Sequence, residues 1–239
     1  MSHASRSRRF VFVHGAWHGG WCWATVRQLV DDRGHRTWAP TLSGMAIDEP
    51  CAHVDLDAHI EDVHNLIIRE DIRDVTLVGH SYGGLVITGV ANRVPDRIER
   101  IVYLDAFVGA NGRSFADLAP IHDVEALVVE DRIAPMISIE KLGSFDSEMA
   151  VILASRLVGQ PWRTFAQSLH FSARALNRLP RAYIRTSDLI PEQAEHAMAL
   201  GIEMIDARPA GHDAMLTEPA KIAMLLEQIE GLPVHRAEE

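Results

Sequence analysis

The chain has 239 residues, a length that fits one large domain or two small ones. Its 23 Lys and Arg residues against 33 Asp and Glu residues give a formal net charge of −10. That charge argues against nucleic acid as a partner and against binding to anionic membranes, because both need a basic surface. Hydrophobic residues make up 47% of the chain and charged residues 23%, a balance that excludes global disorder.

The sequence has no recognisable targeting or membrane-spanning segment. The stretch Met1–Arg9 is basic and polar and has no apolar run of signal-peptide length. No run of about 18 apolar residues occurs, and the two cysteines are too few for a disulfide framework. We therefore expect a cytoplasmic protein without membrane contact.

Short apolar runs, several rich in β-branched residues, alternate with helical patterns along the chain. Six strands are predicted, at Phe10–Val13, His35–Ala39, Val75–Val78, Ile98–Phe107, Arg181–Thr186 and Ile202–Asp206. This alternation predicts an α/β fold with a mostly parallel sheet covered by helices on both faces. The stretch 109–180 breaks the pattern, with helical patches and no clear strand. We expect one domain, 1–239, in which this stretch is a helical lid over the carboxyl edge of the sheet.

The segment Gly79-His-Ser-Tyr-Gly83 matches the G-x-S-x-G pattern. A predicted strand runs into it and a predicted helix leaves it, which is the context of a sharp turn that presents a nucleophilic serine. Gly79, Gly83 and Gly84, two or three residues from Ser81, are small enough to allow such a tight turn. The pattern therefore predicts Ser81 as a nucleophile beside a helix N-terminus, whose partial positive charge favours a developing anion.

A serine needs a base to become nucleophilic at neutral pH, and in this motif the base comes late in the chain. His212 is the best candidate, because it follows the last predicted strand and precedes the last helix. Asp188, after the strand before it, is the preferred acid to orient the imidazole. Asp105, at the end of the strand after the nucleophile, remains the rival. Asp213 is the weakest candidate, because it adjoins His212 in the chain and would point elsewhere.

The glycine-rich loop His14–Gly20 follows the first predicted strand. Its Ala16 N–H and the N–H of Tyr82 are the expected donors to an oxyanion. His14 and His18 lie four residues apart in this loop, but no convincing third ligand accompanies them, so we expect no metal.

Taken together, these segments resemble the α/β-hydrolase superfamily, and more narrowly the plant methylesterase and hydroxynitrile lyase group with its bacterial esterase relatives. The matching segments are Phe12–Trp21, Val78–Gly84, Tyr103–Phe107, Thr186–Pro191 and Gly211–Leu216. The resemblance runs from about Phe10 to the C-terminal helix and is weakest in the stretch 109–180. It implies an α/β-hydrolase fold, a Ser-His-Asp triad and no cofactor.

Two positions separate the activities within that group. The resemblance implies that hydroxynitrile lyases carry a threonine where Gly15 stands and a lysine where Asp213 stands. We therefore expect hydrolysis of a small carboxylic ester through an acyl-enzyme. Carbamate, amide and lactone hydrolysis use the same machinery, and a lyase or a non-catalytic ligand-binding protein are the remaining alternatives.

The expected partner is a small ester molecule, and the sequence leaves a homodimer open. Residues near the motifs or in the stretch 109–180 are expected to contact the substrate or line an apolar pocket: Gly15, Trp17, His80, Phe107, Trp162, Phe165, Leu169 and Met215. For the last five, packing in the lid or the core is the alternative.

Overall fold

A computed structural model describes residues 7–119 and 121–230 of the chain. The remaining residues, among them the ends of the predicted domain and most of the basic N-terminal stretch, lie outside the described part. The strands are β1 (Arg9–Val13), β2 (Arg36–Trp38), β3 (Val75–His80), β4 (Ile98–Leu104), β5 (Arg113–Ser114), β6 (Arg132–Ile133), β7 (Gln160–Pro161), β8 (Ser168–Leu169), β9 (Arg181–Arg185) and β10 (Glu203–Asp206).

Six of these strands form one sheet in the order β10-β9-β4-β3-β1-β2, and every neighbouring pair is parallel. They correspond to the six strands predicted from the sequence, so that prediction is confirmed. Val13 is in register with Gly79, which is in register with Tyr103. The loops that follow β1, β3, β4 and β9 therefore meet at one edge of the sheet.

The helices connect the strands and cover both faces of the sheet. Their bounds are α1 (Ala24–Asp31), α2 (Leu56–Arg69), α3 (Gly83–Arg93), α4 (Phe115–Leu118), α5 (Ile139–Leu142), α6 (Ser147–Arg156), α7 (Arg163–Ala166), α8 (Ala173–Asn177), α9 (Pro191–Ala199), α10 (Ala214–Thr217) and α11 (Pro219–Glu230). Among the described residues, no helix is both long and apolar enough to cross a membrane.

The core forms two clusters, one on each face of the sheet. Side chains of β1 alternate between them: Val11 and Val13 join the cluster under α2 and α3, while Phe10 and Phe12 join the one under α1 and α11. Since β3 and β4 are buried along almost their whole length, they form a rigid base for the loops at their carboxyl ends.

The stretch 109–180 holds five of the helices and four two-residue strands. β5 pairs with β8 and β6 with β7, both antiparallel. The sequence analysis predicted no clear strand here, because a two-residue strand is too short to show an alternating pattern.

Candidate active site

Ser81 lies in a strained turn between β3 and α3. Its φ of 51° falls in the left-handed region, which costs a non-glycine residue about 1–3 kcal/mol and persists only where the surroundings enforce it. The Ser81 carbonyl accepts hydrogen bonds from the N–H groups of Gly84 (3.1 Å) and Phe107 (3.0 Å). A Cβ at Gly83 would approach the His14 carbonyl to 2.7 Å, so only glycine fits there. The crowded turn holds Ser81 at the start of α3.

His212 is bonded to Asp105, and both side chains are almost completely buried. His212 Nδ1 donates to Asp105 Oδ2 over 2.8 Å. The N–H groups of Thr186 and Ser187 and the Ser187 hydroxyl also donate to the same carboxylate. Because Nδ1 carries the hydrogen in the neutral ring, Nε2 is left as the proton acceptor.

The environment keeps Asp105 ionised. Burial alone would raise its pKa, but the hydrogen bond and charge of His212, together with the Ser187 hydroxyl, outweigh burial and hold the pKa below its usual value. Asp105 has φ 43°, so its backbone, like that of Ser81, is in the left-handed region. The carboxylate is thus a fixed negative charge behind the imidazole.

The expectation that Asp188 orients His212 does not agree with this geometry. The Asp188 side chain is 70% exposed and pairs with Arg185 (2.6 Å) and Arg208 (2.5 Å). Because β4 and β9 are neighbours, Asp105 and the loop that carries Asp188 reach the same edge of the sheet. In that loop Ser187 turns inward onto Asp105, and Asp188 turns outward.

The loop after β1 is held in place by buried hydrogen bonds. Trp17 has φ 63°, and its N–H donates to Gln160 Oε1 (3.0 Å) while its indole N–H donates to the Ile133 carbonyl (3.0 Å). His14 Nε2 accepts from the Leu42 N–H over 3.1 Å. The loop is therefore fixed to the segment after β2, through Leu42, and to the stretch 109–180, through Gln160 and Ile133.

Tyr82 follows Ser81 and is fully buried. Its hydroxyl donates to His59 Nδ1 over 3.0 Å, since His59 Nε2 uses its hydrogen for the Ser43 carbonyl. This contact anchors the side chain and leaves the backbone of Tyr82 at the N-terminus of α3.

Comparison with known proteins agrees with this architecture. The model of the alpha/beta hydrolase family matches residues 10–225. The chain is a member of the alpha/beta hydrolase family.

Relatives of this alpha/beta hydrolase carry esterase names. It is 32% identical over 243 aligned positions to a carbendazim hydrolyzing esterase of Nocardioides sp. (strain SG-4G), covering 90% of this chain and 96% of that protein. It is 37% identical over 112 positions to methylesterase 2 of Arabidopsis thaliana, covering 45% of this chain and 43% of that protein.

A solved structure gives the same result. It belongs to an extracellular alpha/beta-hydrolase of a Paenibacillus species, described as sharing structural and functional homology with tobacco salicylic acid binding protein 2. The TM-score is 0.82 at 25% identity, with 93% of this chain and 98% of that chain covered. The resemblance seen in the sequence is confirmed, and the chain is an esterase-type alpha/beta hydrolase.

Ser81 and His212 of this hydrolase line one cavity of about 370 Å³. Ala16, Trp17 and Phe107, named from the sequence, also line it. Further lining residues escaped the sequence analysis because nothing in their local pattern distinguishes them from core or lid packing: Phe115, Leu118, Ala119, Ile121, Met136, Ile137, Leu189, Ile190, Glu192 and Gln193.

Several residues expected at the substrate do not line this cavity. Phe165 is fully buried and packs on Phe115, with ring centroids 4.3 Å apart, while Met215 belongs to the core cluster under α1 and α11. Trp162 is half-buried beneath Arg163, and Leu169 is buried in β8. The sequence pattern cannot separate such packing residues from pocket residues, because both are apolar.

His80 and Gly15 lie behind the cavity rather than in its wall. His80 Nε2 donates to the His212 carbonyl over 3.1 Å, and the two rings are 4.7 Å apart. A Cβ at Gly15 would approach His80 Nδ1 to 2.8 Å and Ser81 Cβ to 3.0 Å. Position 15 must therefore be glycine for the loop to pack this closely on the nucleophile turn.

Asp213, the position at which lyases were expected to carry a lysine, does not line the cavity. Its carboxylate is fully buried and bonded to His18 Nε2 at 3.0 Å. His80, His212 and Asp213 have potential metal-ligand atoms within 4.8 Å of one another, a grouping missed in the sequence. Since His212 is bonded to Asp105, Asp213 to His18, and His80 Nε2 to the His212 backbone carbonyl, we assign them to a hydrogen-bond network.

Proposed function

We propose that the protein hydrolyses small carboxylic esters, with Ser81 as nucleophile, His212 as base and Asp105 as the acid that orients it. The observation that supports this most is the buried bond from His212 Nδ1 to Asp105, together with the strained Ser81 and His212 lining one cavity. A serine, an oriented imidazole and a buried carboxylate are the groups that acyl transfer requires.

In the first step Ser81 Oγ attacks the ester carbonyl carbon, and its proton moves to His212 Nε2. Asp105 stabilises the imidazolium that results. The proton then passes to the alkoxy oxygen, the alcohol leaves, and the acyl group stays on Ser81. In the second step His212 removes a proton from water, which attacks the acyl carbon. The bond to Ser81 Oγ then breaks, His212 returns the proton to Oγ, and the acid leaves.

The N–H groups of Ala16 and Tyr82 are the proposed donors to the oxyanion. Ala16 lines the cavity, and Tyr82 is the N-cap residue that directly precedes α3, where the helix dipole favours negative charge. Removing one such donor typically lowers kcat by about 10²–10³-fold. The hydrogen bonds that fix the loop after β1 therefore contribute to the proposed catalysis, because they hold the Ala16 N–H in place.

The cavity favours a neutral, apolar substrate. Its wall is formed mainly by aliphatic and aromatic side chains; among the described residues that line it, Glu192 is the one formally charged carboxylate, and none is a lysine or arginine. An anionic substrate would lose its hydration without gaining a counter-charge.

The same groups would cleave carbamates, amides and lactones. The relative from Nocardioides is named for hydrolysing carbendazim, so carbendazim belongs in the substrate screen beside the esters. A cyanohydrin lyase is disfavoured, because the threonine expected of lyases at position 15 would collide with His80 and Ser81.

The experiment is a hydrolysis screen of p-nitrophenyl acetate, methyl esters, a lactone and carbendazim, with the Ser81→Ala variant as control. We expect turnover of at least one ester and a loss of about 10³-fold or more in kcat on Ser81→Ala, without unfolding. Saturable binding without turnover would indicate a ligand-binding protein. Release of cyanide from mandelonitrile without ester cleavage would indicate a lyase, and either result would overturn the proposal.

A further inference from the structure

His18 has a hydrogen-bond acceptor at each of its two ring nitrogens. Nδ1 lies 2.8 Å from the Ala16 carbonyl, and Nε2 lies 3.0 Å from Asp213 Oδ2. A carbonyl oxygen and a carboxylate oxygen can only accept, whereas a neutral imidazole has a single N–H. Both contacts are satisfied at once when His18 is an imidazolium, paired with an ionised Asp213.

This pair is enclosed, with 3% of His18 and none of Asp213 exposed. Trp21 stacks on the His18 ring with centroids 5.6 Å apart, and the Arg156 guanidinium lies over the Trp21 ring. Burial alone would lower the pKa of His18, but the Asp213 carboxylate outweighs burial and raises it. Burial likewise acts to raise the pKa of Asp213, and His18 outweighs it and lowers that pKa.

Three titratable side chains beside the pair are neutral, whereas the ionised Asp105 of the same region is bonded to His212. Burial, with the charge of His212 in support, lowers the pKa of His80 to about 3, and its Nε2 hydrogen is used by the His212 carbonyl. Burial also lowers the pKa of His14 to about 3 and raises that of the Cys22 thiol well above its usual value. His18 and Asp213 therefore form the charged pair of this buried cluster.

The pair connects two loops that carry the proposed chemistry. Asp213 directly follows His212, and its N–H donates to the Leu142 carbonyl over 2.8 Å, which fixes the backbone at this point. His18 fixes the carbonyl of Ala16, which lines the same cavity as Ser81 and whose N–H is the proposed oxyanion donor. A shift of His18 would thus move Ala16 relative to the base.

We propose that His18 and Asp213 are positioning residues, an ion pair that holds the Ala16 loop in register with His212. This inference rests on the proposed ester hydrolysis, because the pair affects kcat only if the Ala16 N–H is an oxyanion donor in that reaction. Neither side chain lines the cavity, so the pair acts through Ala16 and His212 rather than on the substrate.

The proposal has a consequence for pH dependence. As pH rises through the raised pKa of His18, the ring loses a proton and keeps one donor for two acceptors. Its contact with Ala16 or with Asp213 is then lost, and kcat declines on the alkaline side.

Asp213→Asn separates charge from shape. The amide has the size of the carboxylate and donates a hydrogen bond to Nε2 of a neutral His18, which keeps its Nδ1 hydrogen for Ala16. We expect kcat for p-nitrophenyl acetate within about tenfold of the wild type and no alkaline decline, with KM nearly unchanged.

His18→Gln removes the contact to Ala16, and we expect a loss of about 10²-fold in kcat, as for a misplaced oxyanion donor. Asp206→Asn, at an exposed carboxylate paired with Arg208, is the control and should change neither quantity.

A second measurement does not depend on activity. Nitrogen NMR of the histidine rings in the wild-type protein, with His18 assigned through its contact with the Trp21 ring, should show both His18 nitrogens protonated near pH 7. A neutral His18 at that pH would overturn the ion pair even if His18→Gln fails to fold. An alkaline decline that persists unchanged in Asp213→Asn would overturn the positioning role. If wild-type enzyme cleaves no ester while His18 is charged, the proposed function fails and the ion pair stands.

Discussion

A carboxylate can orient an imidazole only if it reaches Nδ1, and at this site Asp105 does so. We predict that Asp105→Asn lowers kcat for p-nitrophenyl acetate by about 10²–10⁴-fold, because the amide favours the wrong tautomer of His212. Asp188→Asn, whose side chain is 70% exposed, should stay within about threefold of the wild type.

Steady-state kinetics of the two variants, with circular dichroism to show that both fold, decides between them. Equal losses would mean that both carboxylates share the role, and the reverse ranking would return it to Asp188. Thermal unfolding should also separate them, since only Asp105 is buried.

At the level of single residues, the sequence was informative where a pattern fixes a position. Ser81 was predicted from its motif and His212 from its place after the last strand, and the structure brings both to one cavity. The acid was ambiguous, because Asp105 and Asp188 both follow strands that are neighbours in the sheet. Which one turns inward depends on the conformation of a short loop, and no periodicity encodes that.

Helix α3 must approach the strand-to-loop junction after β4 very closely for the nucleophile turn to form. A Cβ at Gly84 would lie 2.2 Å from the Phe107 carbonyl oxygen, which is backbone and cannot move aside. A Cβ at Gly89, further along the same helix, would meet the Ile60 side chain, with Cδ1 at 2.3 Å and Cγ1 at 2.8 Å, and no backbone atom outside the helix. The two glycines thus differ in what a methyl group would displace.

We predict that Gly84→Ala lowers the free energy of unfolding by about 1–3 kcal/mol or more, the usual cost of overpacking. Gly89→Ala is the matched control and should cost less, because Ile60 can change rotamer and alanine gains about 1 kcal/mol of helix propensity. Urea unfolding measures both. A Gly84→Ala variant as stable as Gly89→Ala would show that the junction is not tightly packed.

At the level of elements, the six strands of the sheet and the helical patterns between them could be predicted from apolar runs and from the residues that end those runs. The strands that the sequence pattern did not predict lie in the stretch 109–180, where β5 pairs with β8 and β6 with β7. These pairings involve two residues each and depend on the tertiary fold, so local propensity carries no signal for them.

At the scale of the whole molecule, the negative net charge and the apolar cavity lining both disfavour anionic substrates. The chain has a net charge of −10, and Glu192 adds a carboxylate to an otherwise apolar cavity. We predict a kcat/KM at least roughly tenfold higher for p-nitrophenyl butyrate than for the mono-p-nitrophenyl ester of succinate, which carries a negative charge in an acyl group of similar length.

Glu192→Gln should reduce that difference by about two- to fivefold, the effect of one exposed charge at close range in water. Glu195→Gln is the control, because Glu195 is exposed on the same helix, α9, and does not line the cavity. A preference for the succinate ester, or an equal response to both substitutions, would contradict this assignment of the cavity.

In the proposed mechanism Ser81 forms the covalent intermediate and the Asp105–His212 couple activates it, and labelling with an alkyl fluorophosphonate can trap Ser81 in this role. In this reaction the serine oxygen displaces fluoride from phosphorus and leaves a stable adduct. Peptide mass spectrometry should find one adduct per chain, on Ser81, in step with the loss of esterase activity, and labelling of Asp105→Asn should be about 10²-fold slower. An adduct on another residue, or esterase activity that continues after Ser81 is fully labelled, would contradict the account.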